Sequence, residues 1–572
     1  MPLSNSDTGS QESSSSYIYS AGPSSGAYTS KNVMPGSKDS VAAHIDSVEF
    51  AYTPSNEDKE STPEEQPWRA AETKVNPLRR SFLKSYGCLF VAYSCSATNG
   101  FDANTFGGLS AIDTFVSYFG ITPENQGLVA ALYVIGNVAG CLFAGPCADC
   151  YGRRFGMAVG STVCIVGAVM QATAHNLGTL MGGRFILGLG AVLVQTAGPA
   201  YVVEMAYPRY RGVLTGAYQA CFFLGTIVST WLEYGLNFIV GTPQWTWRLP
   251  LAVQAFPSVL VLAFVWFIPE TPRWYMGQGR VDKAREILVK YHGDGDANSS
   301  IVAIELEEMQ QAISPDGSDK RWWDFRELFN SRSARYRTFL VACIAFFGQW
   351  DLPPTSYYFP LMAKTAGITS ERTQLLLNAL QTPIMMAAAL SGLRWQDRIG
   401  RRKLLIASST GMAISVAVIT ACTAQQAGRP VVGGVGIAFV YVFLVVFAFA
   451  WTPAQSLYPT EVLAYNTRAK GLAFMNLLVN IASVFNTYVP PVAISRAGWR
   501  FYIFYILWDA LGALVIYLTF VETKGRNLEV IDHIFEAENP KKASLQVQTE
   551  LNLERSGALR PEDAKREYGG II

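Results

Sequence analysis

Two charged side chains in this 572-residue sequence stand where charge is costly. Asp102 lies inside the apolar run that begins near Tyr86, and Arg184 lies near the start of a later one, GRFILGLG (Gly183 to Gly190). An ionisable group among apolar residues is expensive and points first to function. Desolvation raises a carboxyl pKa and a nearby cation lowers it, so a carboxylate whose cation moves can take up and release a proton. The plainer reading is a fixed ion pair that only aligns two helices.

A second set of charges is repeated. Asp149-x-x-Gly152-Arg153-Arg154 recurs as Asp397-x-x-Gly400-Arg401-Arg402. Glu204 and Arg211 are seven apart, as are Glu461 and Arg468. Glu270-Thr271 recurs as Glu522-Thr523. Three matched sets in the same order imply two parallel halves related by an axis along a membrane normal. Such charges can brace helix ends, where carboxylates and guanidiniums also meet the helix dipoles. They can equally serve topology alone, by holding loops on one side.

Other chemistries find little support. Cys147 and Cys150 form a CxxC, but no second pair or nearby His completes a zinc site, so no metal is expected. Most remaining cysteines (Cys88, Cys95, Cys141, Cys164, Cys221, Cys343, Cys422) fall in apolar runs and read as small packing residues. No phosphate-binding loop or nucleophile elbow occurs, and His44, His175, His292 and His533 are scattered. An enzyme, a pump driven by nucleotide or a bound cofactor is therefore not expected.

The elements that must carry these residues follow from composition. Half the residues are hydrophobic and only 16% are charged, against about 25% in soluble proteins. The net charge of +1 excludes a strong nucleic-acid binder. Apolar runs long enough to cross a bilayer predict helices over 85–106, 125–147, 155–175, 178–201, 212–237, 248–268, 337–362, 373–394, 403–424, 431–457, 468–491 and 500–521. The expected fold is an all-α membrane protein, with twelve transmembrane helices in two six-helix halves, 85–268 and 337–521. Residues 1–75, rich in Ser, Gly, Thr and Glu, read as a disordered tail. A polar, helix-prone segment spans 269–336, and 522–572 forms a second tail. Lys and Arg concentrate in four short loops, at Arg153, Arg154, Arg209, Arg211, Arg394, Arg398, Arg401, Arg402, Lys403, Arg468 and Lys470. That bias places both termini and the central segment in the cytosol.

Several motifs carry a resemblance. GPCADCYGRR (Gly145 to Arg154) resembles the signature loop of the major facilitators. IPETPRW (Ile268 to Trp274), VETKGR (Val521 to Arg526), GRFILGLG, YRG (Tyr210 to Gly212) and NGFD (Asn99 to Asp102) are similar to motifs of the sugar porters, over about Tyr86 to Phe535. The wording is nearest the fungal lactose-permease-like and hexose-transporter branch. The resemblance implies the major facilitator fold and proton-coupled uptake of a sugar or polyol by alternating access, with the lipid bilayer, a small sugar and a proton as partners. It also implies a monomer in the plasma membrane. Asp102 and Arg184 match the proton-binding Asp and its Arg neighbour. Gln219, Gln349, Tyr357 and Asn480 match sugar-contacting or cavity-facing positions, and Trp350 and Trp451 could offer stacking faces or simply pack. Amides suit hydroxyls because each both donates and accepts. The repeated charges (Asp149, Arg153, Arg154, Glu204 and Arg211, then Asp397, Arg401, Glu461 and Arg468) would form the cytoplasmic gate.

One departure from the family pattern is plain. Its seventh helix reads Gln-x-x-Gly-x-Asn, whereas Gln349 is followed here by Trp350, Asp351, Leu352, Pro353 and Pro354. Two prolines break a helix, and broken helices often mark transport sites. Asp351 either meets substrate or faces an outer vestibule. Asp509, in the twelfth run, has no evident role. A uniporter and a non-transporting sensor on the same fold are the rival readings.

Overall fold

The computed structural model describes residues 79–239, 244–313, 325–350, 355–425, 429–464, 467–524 and 528–546. The predicted tail 1–75, most of the last tail, and Asp351, Pro353 and Pro354 lie outside the described residues, as does the Tyr357 side chain. Among the described residues every regular element is helical. The first six rods are α1 (Arg80–Leu109), α2 (Pro123–Tyr151), α3 (Arg153–Ala172), α4 (Leu177–Met205), α5 (Arg211–Ile239) and α6 (Trp245–Val253 continuing as Phe256–Phe264). The second six are α7 (Arg332–Phe347 and then Thr355–Thr365), α8 (Glu371–Ile399), α9 (Arg401–Gln425), α10 (Pro430–Val462), α11 (Arg468–Ala497) and α12 (Tyr502–Thr519).

Local signals explain several boundaries. Asn176 accepts the Thr179 N–H at 2.7 Å and starts α4, and Ser331 and Ser370 cap α7 and α8 in the same way. A reciprocal cap between Thr122 and Asn125, followed by Pro123, starts α2. The apolar runs end earlier than the helices do. α10 runs on to Val462 through Pro453 and Pro459, and α11 to Ala497 through Pro490 and Pro491. Neighbouring helices can re-satisfy the backbone groups that a proline frees. α6 is interrupted at Gln254 and Ala255, where a single apolar run predicts one rod.

Most rods are apolar enough to cross a bilayer by length and composition. α1 is less so because it carries Asn99, Asp102 and Asn104, all buried. Each half has its own core. Leu89, Cys95, Met157, Leu187, Tyr201 and Val261 belong to the first, and Ile344, Met412, Phe443, Trp451 and Tyr458 to the second.

The end where α2 meets α3 and α8 meets α9 carries most of the loop arginines and is called the basic end below. The central helices Pro272–Gly277, Val281–Tyr291 and Ser300–Ile313 pack there against Phe82 and Tyr207. His292 is buried among them. Its Nδ1 lies 2.8 Å from Glu305 Oε2, and its Nε2 lies 3.3 Å from the Met205 carbonyl, which ties the central helices to the end of α4.

Contacts between the halves run from the opposite end to about mid-length. Phe106, Leu109, Ile112 and Phe115 share a core with Tyr358 and Leu375. Asn237 Nδ2 donates to Glu371 Oε1 at 2.5 Å. Nearer mid-length, Phe223 of α5 packs on Ala388 and Ala389 of α8 and Ala448 of α10.

Candidate functional site

At the basic end the repeated motifs build the same object twice. Gly152 and Gly400 join consecutive helices at φ 101° and 106°, a region that favours glycine. A Cβ on Gly152 would also collide with the Glu270 carboxylate, and one on Gly400 with that of Glu522. Those two carboxylates sit on the next helix N-terminus, where free N–H groups and the dipole favour an anion. Arg153 N and Arg154 N donate to Glu270 at 3.0 and 3.1 Å. Arg401 N and Arg402 N donate to Glu522 at 2.9 and 3.2 Å. Burial pushes the Glu270 carboxyl up, and the N–H donors of Thr271, Arg154 and Arg153 pull it part of the way back.

The guanidiniums complete each cluster. Arg153 Nη2 pairs with Glu204 at 3.1 Å and Asp149 at 3.3 Å, and Thr271 Oγ1 donates to the other Glu204 oxygen at 2.5 Å. Arg401 Nη2 pairs with Glu461 at 2.7 Å and Asp397 at 2.8 Å, and Thr523 Oγ1 donates to Glu461 at 2.6 Å. Arg154 and Arg402 turn to backbone carbonyls, Trp266 at 2.9 Å and Tyr517 at 2.8 Å. Glu204 and Glu461, expected to brace this end together with Arg211 and Arg468, each bond the arginine that starts α3 or α9 and a threonine, while Arg468 donates to the Leu463 carbonyl at 3.3 Å.

At mid-depth the halves differ. Asp102 is wholly buried. Gln254 Nε2, from the break in α6, donates to Asp102 Oδ1 at 2.8 Å, and Oδ2 has no hydrogen-bond partner among the described residues. Arg184 donates from Nε to the Val129 carbonyl at 2.8 Å and lies over the Phe106 ring, 4.4 Å from its centroid. Asp102 and Arg184, expected as neighbours, each hold another hydrogen-bond partner, and Arg184 sits against the residue one turn beyond Asp102. The sequence reading missed Gln254, because an amide in an apolar run carries no charge to draw notice. It also missed Glu233 of α5, which is as buried as Asp102 and obeys the same rule.

Buried amides occur in both halves, and in the second half amides bond to one another and link α7 to α11. Gln349 Oε1 accepts from Ser483 Oγ at 2.8 Å, and its backbone carbonyl accepts from Asn486 Nδ2 at 2.5 Å. Tyr505 OH donates to Asn486 Oδ1 at 2.8 Å. Gln381 Nε2 donates to Asn378 Oδ1 at 2.6 Å, both buried on α8. Asn480 Nδ2 donates to the Asn476 carbonyl at 2.8 Å and approaches Cys141 Sγ of α2 at 3.9 Å. Gln219 is exposed one turn before Phe223, on the face of α5 that meets the other half. Trp451 is fully buried, and its Nε1 has no partner among the described residues. Trp350 takes the packing alternative. Its Nε1 donates to the Ala482 carbonyl at 2.8 Å, and its ring packs 5.1 Å from that of Trp508 on α12. Asp509 is buried on α12, one turn beyond Tyr505.

Comparison with known proteins agrees with this architecture. The family model described as "Sugar (and other) transporter" matches residues 88–535. The MFS-type transporter criB of Aspergillus cristatus is 27% identical over 457 residues, 78% of this chain and 94% of that one. The sugar transporter STL1 of Saccharomyces cerevisiae is 28% identical over 457 residues, 76% of this chain and 78% of that one. An inward open structure of the xylose transporter XylE from E. coli shares the fold, with a TM-score of 0.65 at 21% identity over 78% of this chain and 99% of that one. The chain is a multi-pass membrane protein and belongs to the sugar porter family of the major facilitator superfamily.

Proposed function

We propose that this chain carries a sugar or related polyol together with a proton, by alternating access, with Asp102 as the proton site. The observation that carries the reading is the wholly buried Asp102, held by Gln254 on one oxygen and, among the described residues, without a hydrogen-bond partner on the other. A carboxylate so placed is costly when charged and cheap when protonated, and Arg184 beside Phe106 supplies the nearby cation. Gln219, Gln349, Asn480 and Trp451 would meet the substrate, since hydroxyls need amides and sugar faces need apolar rings. The likeness to STL1 and to XylE, named for a sugar and for xylose, supports the substrate class.

The remaining assignments belong to the same proposal. Both termini and the basic end face the cytosol, as the loop arginines favour. The protein acts as a monomer in the plasma membrane, and the clusters around Arg153 and Arg401 brace each half through the transport cycle. Cross-half packing around Phe106 and Tyr358 supports a state closed at the end opposite the cytosol.

The test is uptake of a panel of labelled monosaccharides, disaccharides and polyols into vesicles, each with and without a protonophore. One panel member accumulating only while the proton gradient stands is the expected result. Uptake that never exceeds equilibrium would leave a uniporter, and binding without any uptake would leave a sensor.

A further inference from the structure

The mechanism just proposed leaves one buried acid unused. Glu233 lies on α5, wholly buried, within a segment apolar enough to cross a bilayer. Its Oε1 accepts from Ser229 Oγ at 3.4 Å, and its Oε2 has no hydrogen-bond partner among the described residues. The fold has made room for this group, since a Cβ on Gly108 of α1 would overlap the Glu233 carboxylate. No Lys or Arg pairs with it among the described residues. A carboxylate at that depth without a cation is costly if charged, and intramembrane acids of this kind serve in proton relays.

The neighbours of Glu233 form a file toward Asp102. Ser229 Oγ lies 3.0 Å from Thr105 Oγ1 on α1. Thr105 is three residues after Asp102, so the two share one face of the helix. On the other side, Asn237 stands one turn beyond Glu233 and donates to Glu371, at the start of α8 and half-buried at the end opposite the basic one. Polar side chains therefore run Glu371, Asn237, Glu233, Ser229, Thr105, Asp102. The ionisable groups facing Asp102 are Arg184 and Cys164.

We propose that Glu233 is a proton station between the membrane face opposite the basic end and Asp102. The proposal rests on the reading of Asp102 as the proton site. A hydronium at that face protonates Glu371 and leaves water, and Glu371 passes the proton inward past Asn237 to the Glu233 carboxylate. Glu233 then releases the proton to the hydroxyl of Ser229. Ser229 and Thr105 each accept one proton and pass one on, and the Asp102 carboxylate receives the last. The net change is one O–H lost by hydronium, which becomes water, and one gained at Asp102, with Glu371, Glu233, Ser229 and Thr105 restored.

The test uses the proton itself as probe. The full chain in lipid vesicles is subjected to a rapid acid step, and the carboxylic-acid infrared band of Asp102 is followed, identified by its absence in Asp102→Asn. Glu233→Gln keeps size but cannot pass a proton on, and should slow the appearance of that band about tenfold or more. The final amplitude and the pH midpoint of Asp102 should stay as in the unmodified protein. Glu233→Asp, a shortened carboxylate, should restore part of the rate, which a merely structural role would not. A band that rises at the unmodified rate in Glu233→Gln overturns the relay and leaves Asp102 untouched. If Glu233→Gln does not fold, an unmodified rate in Gly108→Ala, whose Cβ would displace the Glu233 carboxylate, overturns it. If the unmodified protein shows no Asp102 band at any pH, the proton reading fails and the relay falls with it.

Discussion

The two halves are near copies at the basic end and unlike at mid-depth. Arg153, Glu204, Glu270 and Thr271 have counterparts in Arg401, Glu461, Glu522 and Thr523, and the bond patterns agree within a few tenths of an ångström. Deeper in, the first half holds Asp102, Arg184 and Glu233 beside amides such as Gln254, while the second holds Gln349, Asn378, Gln381 and Asn486 beside one buried acid of α12, Asp509. A task both halves must perform in the same way, bracing helix ends, keeps the repeat. Tasks that can be divided do not. Ionisable groups suit a proton, and amides suit hydroxyls.

The sharpest way to break this division is Asp102→Asn. It should abolish uphill accumulation and the pH dependence of uptake while substrate binding persists, because the amides lie on other helices. The measurement is protonophore-sensitive accumulation in vesicles with an imposed pH gradient. If accumulation survives, the first half is not the proton half.

The repeat itself is tested by Arg153→Ala and Arg401→Ala. Each leaves a partly buried glutamate without its cation and should cost about 2 kcal/mol or more, read as a lowered midpoint of thermal unfolding in detergent. Exchange of substrate should slow more than binding weakens. A large loss in one variant and none in the other would show that the two clusters are alike in geometry only.

A smaller effect is expected from Gln349→Ala and Gln219→Ala. Each should weaken apparent affinity several-fold, from about 1 kcal/mol per lost hydrogen bond to a hydroxyl. Unchanged affinity in both, at normal expression, removes amide recognition from the comparison. The least effect should come from Trp350→Phe, since that ring packs on Trp508 and its N–H serves the Ala482 carbonyl. Transport should change by less than about twofold, with a slightly lowered unfolding temperature from one lost hydrogen bond. A large loss of affinity would return Trp350 to the substrate site.

Much of this was legible before any coordinates. Apolar runs of sufficient length mark where helices must lie, because backbone groups in lipid have to bond within the segment. Repeated motifs declare the two halves, and buried charge singles out Asp102 and Arg184. The same rule reaches Glu233, which stands in an equally apolar run and was passed over. Partners were another matter. Glu204 and Arg211 are seven apart, yet Glu204 bonds to Arg153 and Thr271, from two other segments. Asp102 meets Gln254, 152 residues away, because a break in α6 turns that amide inward. Trp350 could stack on substrate or pack, and the structure packs it against α12. Sequence determines which residues enter the bilayer and at what depth, since that is set by local transfer energies. Which side chains then touch depends on how the helices are rotated and paired, and only the packed tertiary structure decides that.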